Sequence, residues 1–199
     1  MTNRVFVSSD THFGHTNIIR YCNRPFETVE AMNEDLVRRW NSRVTAGDTV
    51  YFLGDFAMGP GVDVKFVVAM LQRLNGNIHM ILGNHDQKSK HGPGIARIYG
   101  THWKEIPHVT VSENQLELFK HDGAEFVMCH FPMQDWENKK HGSIHLHGHT
   151  HDQYAVVAER ARMVGRCVVD SFDIGVDMYG GPVELTGDCR YLNAPQGWD

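Results

Sequence analysis

The chain lacks the long apolar runs, the paired cysteines and the basic surplus that mark three common protein classes. Runs such as Phe66-Val67-Val68-Ala69-Met70-Leu71 are far too short to span a bilayer. The opening Met1-Thr2-Asn3-Arg4-Val5-Phe6-Val7-Ser8 has no apolar stretch of the kind a signal peptide needs, so a cytoplasmic location is expected. The four cysteines (Cys22, Cys129, Cys167, Cys189) are scattered without a CxxC pair, which argues for reduced thiols rather than a disulfide framework or a Cys-rich zinc site. Lys and Arg number 19 against 24 Asp and Glu, a net charge of -5. A protein that grips duplex nucleic acid must neutralise phosphates, so duplex DNA is disfavoured as a partner while a local basic pocket stays open. No repeat, low-complexity tract or linker interrupts the chain. Its 199 residues, 41% of them hydrophobic, fit a single domain over 1–199.

Arg4 to Ser9, Thr49 to Leu53 and Asn77 to Leu82 are short β-branched or apolar runs that read as strands. Between them, Thr28 to Val44 carries Met32, Leu36 and Trp40 on one helical stripe, with Thr28 as N-cap. Val62 to Leu74 reads as a further helix that stops near Gly76. This alternation predicts a parallel sheet with crossover helices. Beyond residue 108 the pattern shifts to short runs: Val109 to Val111, Leu116 to Phe119, Glu125 to Cys129, Ser143 to His147, Cys167 to Val169 and an edge at Val183 to Leu185. Those predict antiparallel pairing in a second sheet. Glu159 to Met163 fits a helical turn or a loop.

What the chain has in excess is histidine, 14 in all. Ligands collect beyond the carboxyl ends of strands in open α/β sheets. Polar clusters fall at five such ends: Asp10-Thr11-His12, Gly54-Asp55, Gly83-Asn84-His85-Asp86, Cys129-His130 and His147-Gly148-His149-Thr150-His151. Singly each is commonplace, since Asp after Gly is usually turn chemistry. Together they offer imidazole, carboxylate and amide donors, a mixture that suits Mn, Fe, Zn, Ni or Co better than Ca or Mg.

These clusters, in this order, resemble the calcineurin-like metallophosphoesterase superfamily from Asp10 through His151. The segment Ser9 to Tyr21, followed by Asn23-Arg24-Pro25-Phe26, is similar to a branch of small stand-alone phosphoesterases of bacteria and phages. The resemblance implies a four-layer α-β-β-α sandwich, two mixed sheets flanked by helices. It implies two divalent metal ions (Mn, Fe, Zn or Ni). Asp10, His12 and His151 would hold one, Asn84, His130 and His149 the other, with Asp55 between them. It implies hydrolysis of a phosphate ester by in-line attack of a metal-bridging hydroxide, with His85 as proton donor and Asp86 orienting His85. Many relatives carry a second acidic residue after the GD pair; here the run is Phe56-Ala57-Met58-Gly59-Pro60.

Asn84, His15, Arg20 and Arg24 are candidate substrate contacts, since guanidinium suits phosphate, although His15 equally fits a helix cap and an ordinary surface position is the commoner reading of the two arginines. His147 is placed near the site and His145 on an ordinary polar face, while Asp173 and Asp177 read as solvated turn acids. The remaining histidines read as surface or structural. The expected substrate is a small phosphate ester or nucleotide, diesters favoured over monoesters. A protein-interaction scaffold of the same fold is the competing reading. Oligomeric state is not encoded in any motif.

Overall fold

The computed structural model describes residues 3–86, 95–102, 104–151, 171–188, 192 and 197–198. Strand β1 (Val5–Ser8) pairs in parallel with β2 (Thr49–Phe52), which pairs in parallel with β3 (Asn77–Met80). In register, Ser8 faces Phe52 and Phe52 faces Met80. The three strands therefore stop at one level, and the three polar loops that follow them leave the sheet side by side.

Alternation along these strands splits the core in two. Phe6, Val50, Phe52, Ile78 and Met80 point towards the helices. Val7, Leu53 and Ile81 join Phe126, Met128 and Leu146 between the two sheets.

Helix α1 (Thr16–Tyr21) is short. Helix α2 (Val29–Arg43) starts where Thr28 Oγ1 accepts the Ala31 N–H at 3.1 Å, and it buries Met32, Leu36, Val37 and Trp40. Helix α3 (Val64–Gln72) is shorter than the sequence suggests, because Asp63 takes the cap and accepts the Phe66 N–H at 2.8 Å. Helix α4 (Ile95–His102), unforeseen in the sequence, precedes β4 (Val109–Val111).

Strand β4 joins the first sheet in parallel rather than opening the second. Strand β9 (Val183–Glu184) closes the other edge, antiparallel to β1, giving the order β4-β3-β2-β1-β9. The second sheet runs β5 (Leu116–His121), β6 (Ala124–Cys129), β7 (Ile144–His147), β8 (Ser171–Asp173). Its expected antiparallel character holds for β5 and β6 alone; β6–β7 and β7–β8 are parallel. The tight turn between β5 and β6 permits a hairpin. The connections after β6 and β7 are each more than a dozen residues long, enough for crossovers.

Two mixed sheets thus pack face to face, flanked by helices. Residues 152–170, which contain the predicted strand at 167–169 and the ambiguous segment 159–163, lie outside the described residues. The described strand at this edge is 171–173, and helix α5 (Val176–Tyr179) follows it where a solvated turn was predicted. No helix among the described residues is long and apolar enough to cross a membrane.

Candidate metal centre

The loops after β1, β2, β3, β6 and β7 meet at one edge of the two sheets. Asp10 N–H donates to Gly54 O at 3.0 Å, His12 N–H to Asp55 O at 3.1 Å and Phe13 N–H to Phe56 O at 2.9 Å, so the first two loops are zipped together. Gly148 N–H donates to His130 O at 3.0 Å and joins the last two. Asp10, His12, Asp55, His149 and His151 all hold left-handed backbone, with φ of 58°, 49°, 59°, 73° and 47°. Each such residue costs about 1–3 kcal/mol, a strain that persists only where its surroundings impose it. Here the strain turns successive side chains inward.

Both carboxylates have one oxygen held by the protein and the other turned to the centre. Asp10 Oδ2 accepts from Ser9 Oγ at 2.6 Å and from His149 N–H at 3.0 Å. Asp10 Oδ1 is buried without a hydrogen-bond partner and lies 3.9 Å from His12 Nε2 and 3.8 Å from His151 Nε2. Asp55 Oδ1 accepts the His85 N–H at 2.8 Å. Asp55 Oδ2 lies 3.6 Å from His12 Nε2 and 3.5 Å from His130 Nε2. Asn84 Oδ1 is 3.0 Å from His130 Nε2.

The donor atoms of Asp10, His12 and His151 all fall within 4.8 Å of one another, as do those of Asp55, His130 and His149. Such spacings suit ligands that share one ion at bonds of about 2.0–2.2 Å. His12 Nε2, buried and without a hydrogen-bond partner, fits the same reading. An orphaned buried polar atom is costly unless something absent from the polypeptide satisfies it.

Hydrogen bonds behind the ligands fix their aim. His130 Nδ1–H donates to Leu53 O at 2.7 Å, leaving Nε2 for the centre. His151 Nδ1 is 2.7 Å from Asp177 Oδ2. Asp177 in turn receives Arg24 Nε at 2.7 Å and Nη2 at 2.8 Å, and the same guanidinium donates to Thr11 O at 2.9 Å and Asp10 O at 2.8 Å. The phosphate contact expected of Arg24 is therefore corrected. Its side chain is wholly buried, and its donors are spent on the loop that carries Asp10 and His12.

Asp177, read from the sequence as a solvated turn acid, instead stands beneath the centre. Ile174 and Val176, alternating with Asp173, Gly175 and Asp177, were the signal that this stretch is interior rather than a solvated turn. Asp173 is buried as well and accepts from Thr150 Oγ1 and the Gly175 N–H.

Asp86 does not orient His85. Its carboxylate accepts the N–H of Asp55 at 2.7 Å, of Gly83 at 2.9 Å and of Phe56 at 2.9 Å, tying the β2 and β3 loops together. Two glycines make this closeness possible. A Cβ on Gly83 would sit 2.7 Å from Asp55 N, and one on Gly148 would collide with Ser9 Oγ and Asp10 Oδ2.

His85 is partly exposed, with Nε2 3.9 Å from Asp55 Oδ2. His15 occupies the N-cap position of α1 but makes no side-chain cap. Its ring lies 5.4 Å from that of His12 instead, at the edge of the centre. Arg20 is exposed, its guanidinium over the Tyr21 ring. His147 is buried beside the site, with Nδ1–H donating to Gly148 O at 2.9 Å. His145 is fully buried, not on a polar surface: Nδ1–H donates to Val127 O at 2.9 Å and Nε2 accepts the Met133 N–H at 3.1 Å. Of the two described cysteines, Cys129 is buried and Cys22 half-buried; both are free thiols.

Charge is unevenly shared across the centre. Burial raises Asp10 to about 7, against the pull of His151 and His130. Burial, reinforced by the neighbouring cationic groups, holds His12 well below its ordinary value, the neutral form a ligand needs. Burial opposes charge on His130, but Asp55 and Asp10 outweigh it and lift the imidazole to about 9. Burial likewise opposes charge on His151, yet its hydrogen bond to Asp177 carries it to about 11. The polypeptide alone thus compensates its buried carboxylates with protonated imidazoles, and cations would take the place of those protons.

The fold and this cluster define a class. A family profile described as calcineurin-like phosphoesterase matches residues 3–153, and the chain belongs to that family. It is similar along nearly its whole length to an uncharacterized protein of Methanocaldococcus jannaschii, 33% identical over 196 residues that cover 96% of this chain and 97% of that protein. It is also similar to the gene 66 protein of Mycobacterium phage L5, 27% identical over 193 residues, 90% of this chain and 89% of that one. Among solved structures, a protein of unknown function from Aquifex aeolicus shares the fold, with a TM-score of 0.64 at 19% identity over 92% of this chain and 96% of that one.

Proposed function

We propose that the chain is a single-domain hydrolase that holds two divalent cations (Mn, Fe, Zn or Ni) and cleaves phosphate esters, with small phosphodiesters favoured over monoesters. The observation that carries this reading is Asp55 Oδ2, which stands 3.6 Å from His12 Nε2 and 3.5 Å from His130 Nε2. One carboxylate oxygen between two ligand groups is the arrangement a shared pair of ions needs. Asp10, His12 and His151 would hold the first ion, and Asn84, His130 and His149 the second. The mixed donors fit borderline metals. When bound, two such cations supply Lewis acidity and make hydroxide available near neutral pH.

The chain's own residues do the rest. Asn84 and His85 sit together at the exposed side of the centre, where an ester enters. The His85 backbone is pinned to Asp55 Oδ1, which fixes where its ring begins, and the partly exposed imidazole is placed to give a proton to a departing alkoxide. Asp86 serves by locking the β2 and β3 loops against each other. The net charge of -5 favours a small substrate over a polyanion.

The test is hydrolysis of bis-p-nitrophenyl phosphate and p-nitrophenyl phosphate by metal-stripped protein with Mn, Ni, Zn or Mg restored. Metal-restored diester cleavage, lowered at least about a hundredfold in His85→Ala, is the expected result. Cleavage of the monoester alone would reverse the substrate preference. Absence of turnover in protein that binds two ions would shift the reading to a scaffold.

A further inference from the structure

Among the described residues, four large apolar side chains are exposed: Tyr21, Leu116, Leu118 and Phe131. The two leucines lie on β5, an edge strand. The Phe131 ring borders the candidate metal centre, and the Tyr21 ring stands one ring further out, beyond His15.

Phe131 follows directly after His130. Its ring is steeply inclined to those of His130 and His149, with centroids 4.9 Å and 4.8 Å away, yet the residue stays 41% exposed. Tyr21 ends α1 and is 58% exposed; its ring lies 6.3 Å from that of His15, which lies 5.4 Å from that of His12. Phe131 therefore stands beside the His130 group, while on the His12 side Tyr21 is reached across His15. The Arg20 guanidinium, 5.5 Å from the Tyr21 ring centre, adds a cation there. Large rings left open to water beside charged and polar groups are suited to flat partners.

We infer that Phe131 and Tyr21 are stacking platforms for the base of a nucleotide phosphate ester whose phosphate lies on the metal centre. This rests on the phosphoesterase reading above and names its substrate class. Every nucleobase offers a π-face, so the platforms select nucleotides over aliphatic phosphates without selecting one base.

Calorimetric titration of Mn-loaded protein with AMP and with ribose 5-phosphate tests this, because the two ligands share the phosphate and sugar and differ in the base. AMP is expected to bind at least about tenfold more tightly, and a Tyr21→Ala/Phe131→Ala variant to lose that advantage without weakening ribose 5-phosphate. A Tyr21→Leu/Phe131→Leu variant keeps apolar bulk without a ring face and is expected to lose it too. Equal affinities in the unaltered protein, or an advantage that survives both variants, would overturn the inference. Cleavage of bis-p-nitrophenyl phosphate alongside equal affinities would sink the platforms and leave the phosphoesterase reading standing. Failure to bind Mn would sink both.

Discussion

His151 is aimed by Asp177, which stands 26 residues further along the chain and 2.7 Å from its Nδ1. Arg24 is bidentate to Asp177 and also holds the carbonyls of Asp10 and Thr11. One buried ion pair therefore sets both the imidazole and the loop that would supply the proposed first ion's ligands. Replacing Asp177 by Asn keeps the shape and removes the charge that orients His151 and pairs Arg24. Loss of such a partner behind a ligand typically weakens metal binding about 10–100-fold. Titration of Asp177→Asn with Mn is expected to show one ion weakened to that degree and the other unchanged. Two unchanged affinities would mean that the pair serves folding alone. At this scale the proposed ligands Asp10, His12, Asp55, Asn84, His130, His149 and His151 were legible as residue types at strand ends. Asp177 and the true work of Arg24 and Asp86 were not, because a carboxylate's partner is fixed by contact across the fold and leaves no local pattern.

Strand β7 and the loop that covers it depend on His145. Nδ1–H donates to Val127 O on β6, Nε2 accepts from Met133 in the covering loop, and the Trp136 ring packs 5.2 Å away. The bond from Met133 requires the neutral ring, since a protonated Nε2 would face an N–H donor. Burial pushes His145 down to about 4, so between pH 6.5 and 4 the unfolded chain binds a proton that the folded chain refuses. Its contribution to stability is complete above about pH 6.5 and is lost as the pH falls towards 4. From pH 7 to pH 5 this group alone is expected to remove about 2 kcal/mol. Urea unfolding at both pH values, with His145→Gln as the comparison, measures it: Gln can also donate and accept, but it does not titrate. An equal acid loss in the variant would assign the effect elsewhere. The period-2 pattern of Ile144, His145, Leu146 and His147 placed the histidines on one face correctly. It could not show that a loop from residues 131–143 covers that face.

Across the whole molecule, five loops converge because parallel strands end in register, and the converging groups are buried polar atoms that the polypeptide leaves without partners. Asp10 Oδ1 and His12 Nε2 are such atoms. Ions that satisfied them would bind the folded chain and not the unfolded one. At a hundredfold excess over its Kd, one ion adds about 2.7 kcal/mol, roughly 5–10 °C in Tm for a chain of this size. Chelation is expected to lower Tm by at least that amount, and Mn to restore it. A Tm indifferent to both would argue against an ion at this site. The sequence by itself determined the first three strands, the helix capped by Thr28 and the order of the polar motifs at the strand ends, because hydrophobic period, capping and turn chemistry are local. Only the tertiary structure decided that β4 belongs to the first sheet, that β7 and β8 run parallel to β6, and that Arg24 and Asp177 meet beneath the centre. Each of these depends on which distant segments pack together, and a linear pattern of apolar and polar residues holds no record of that partner.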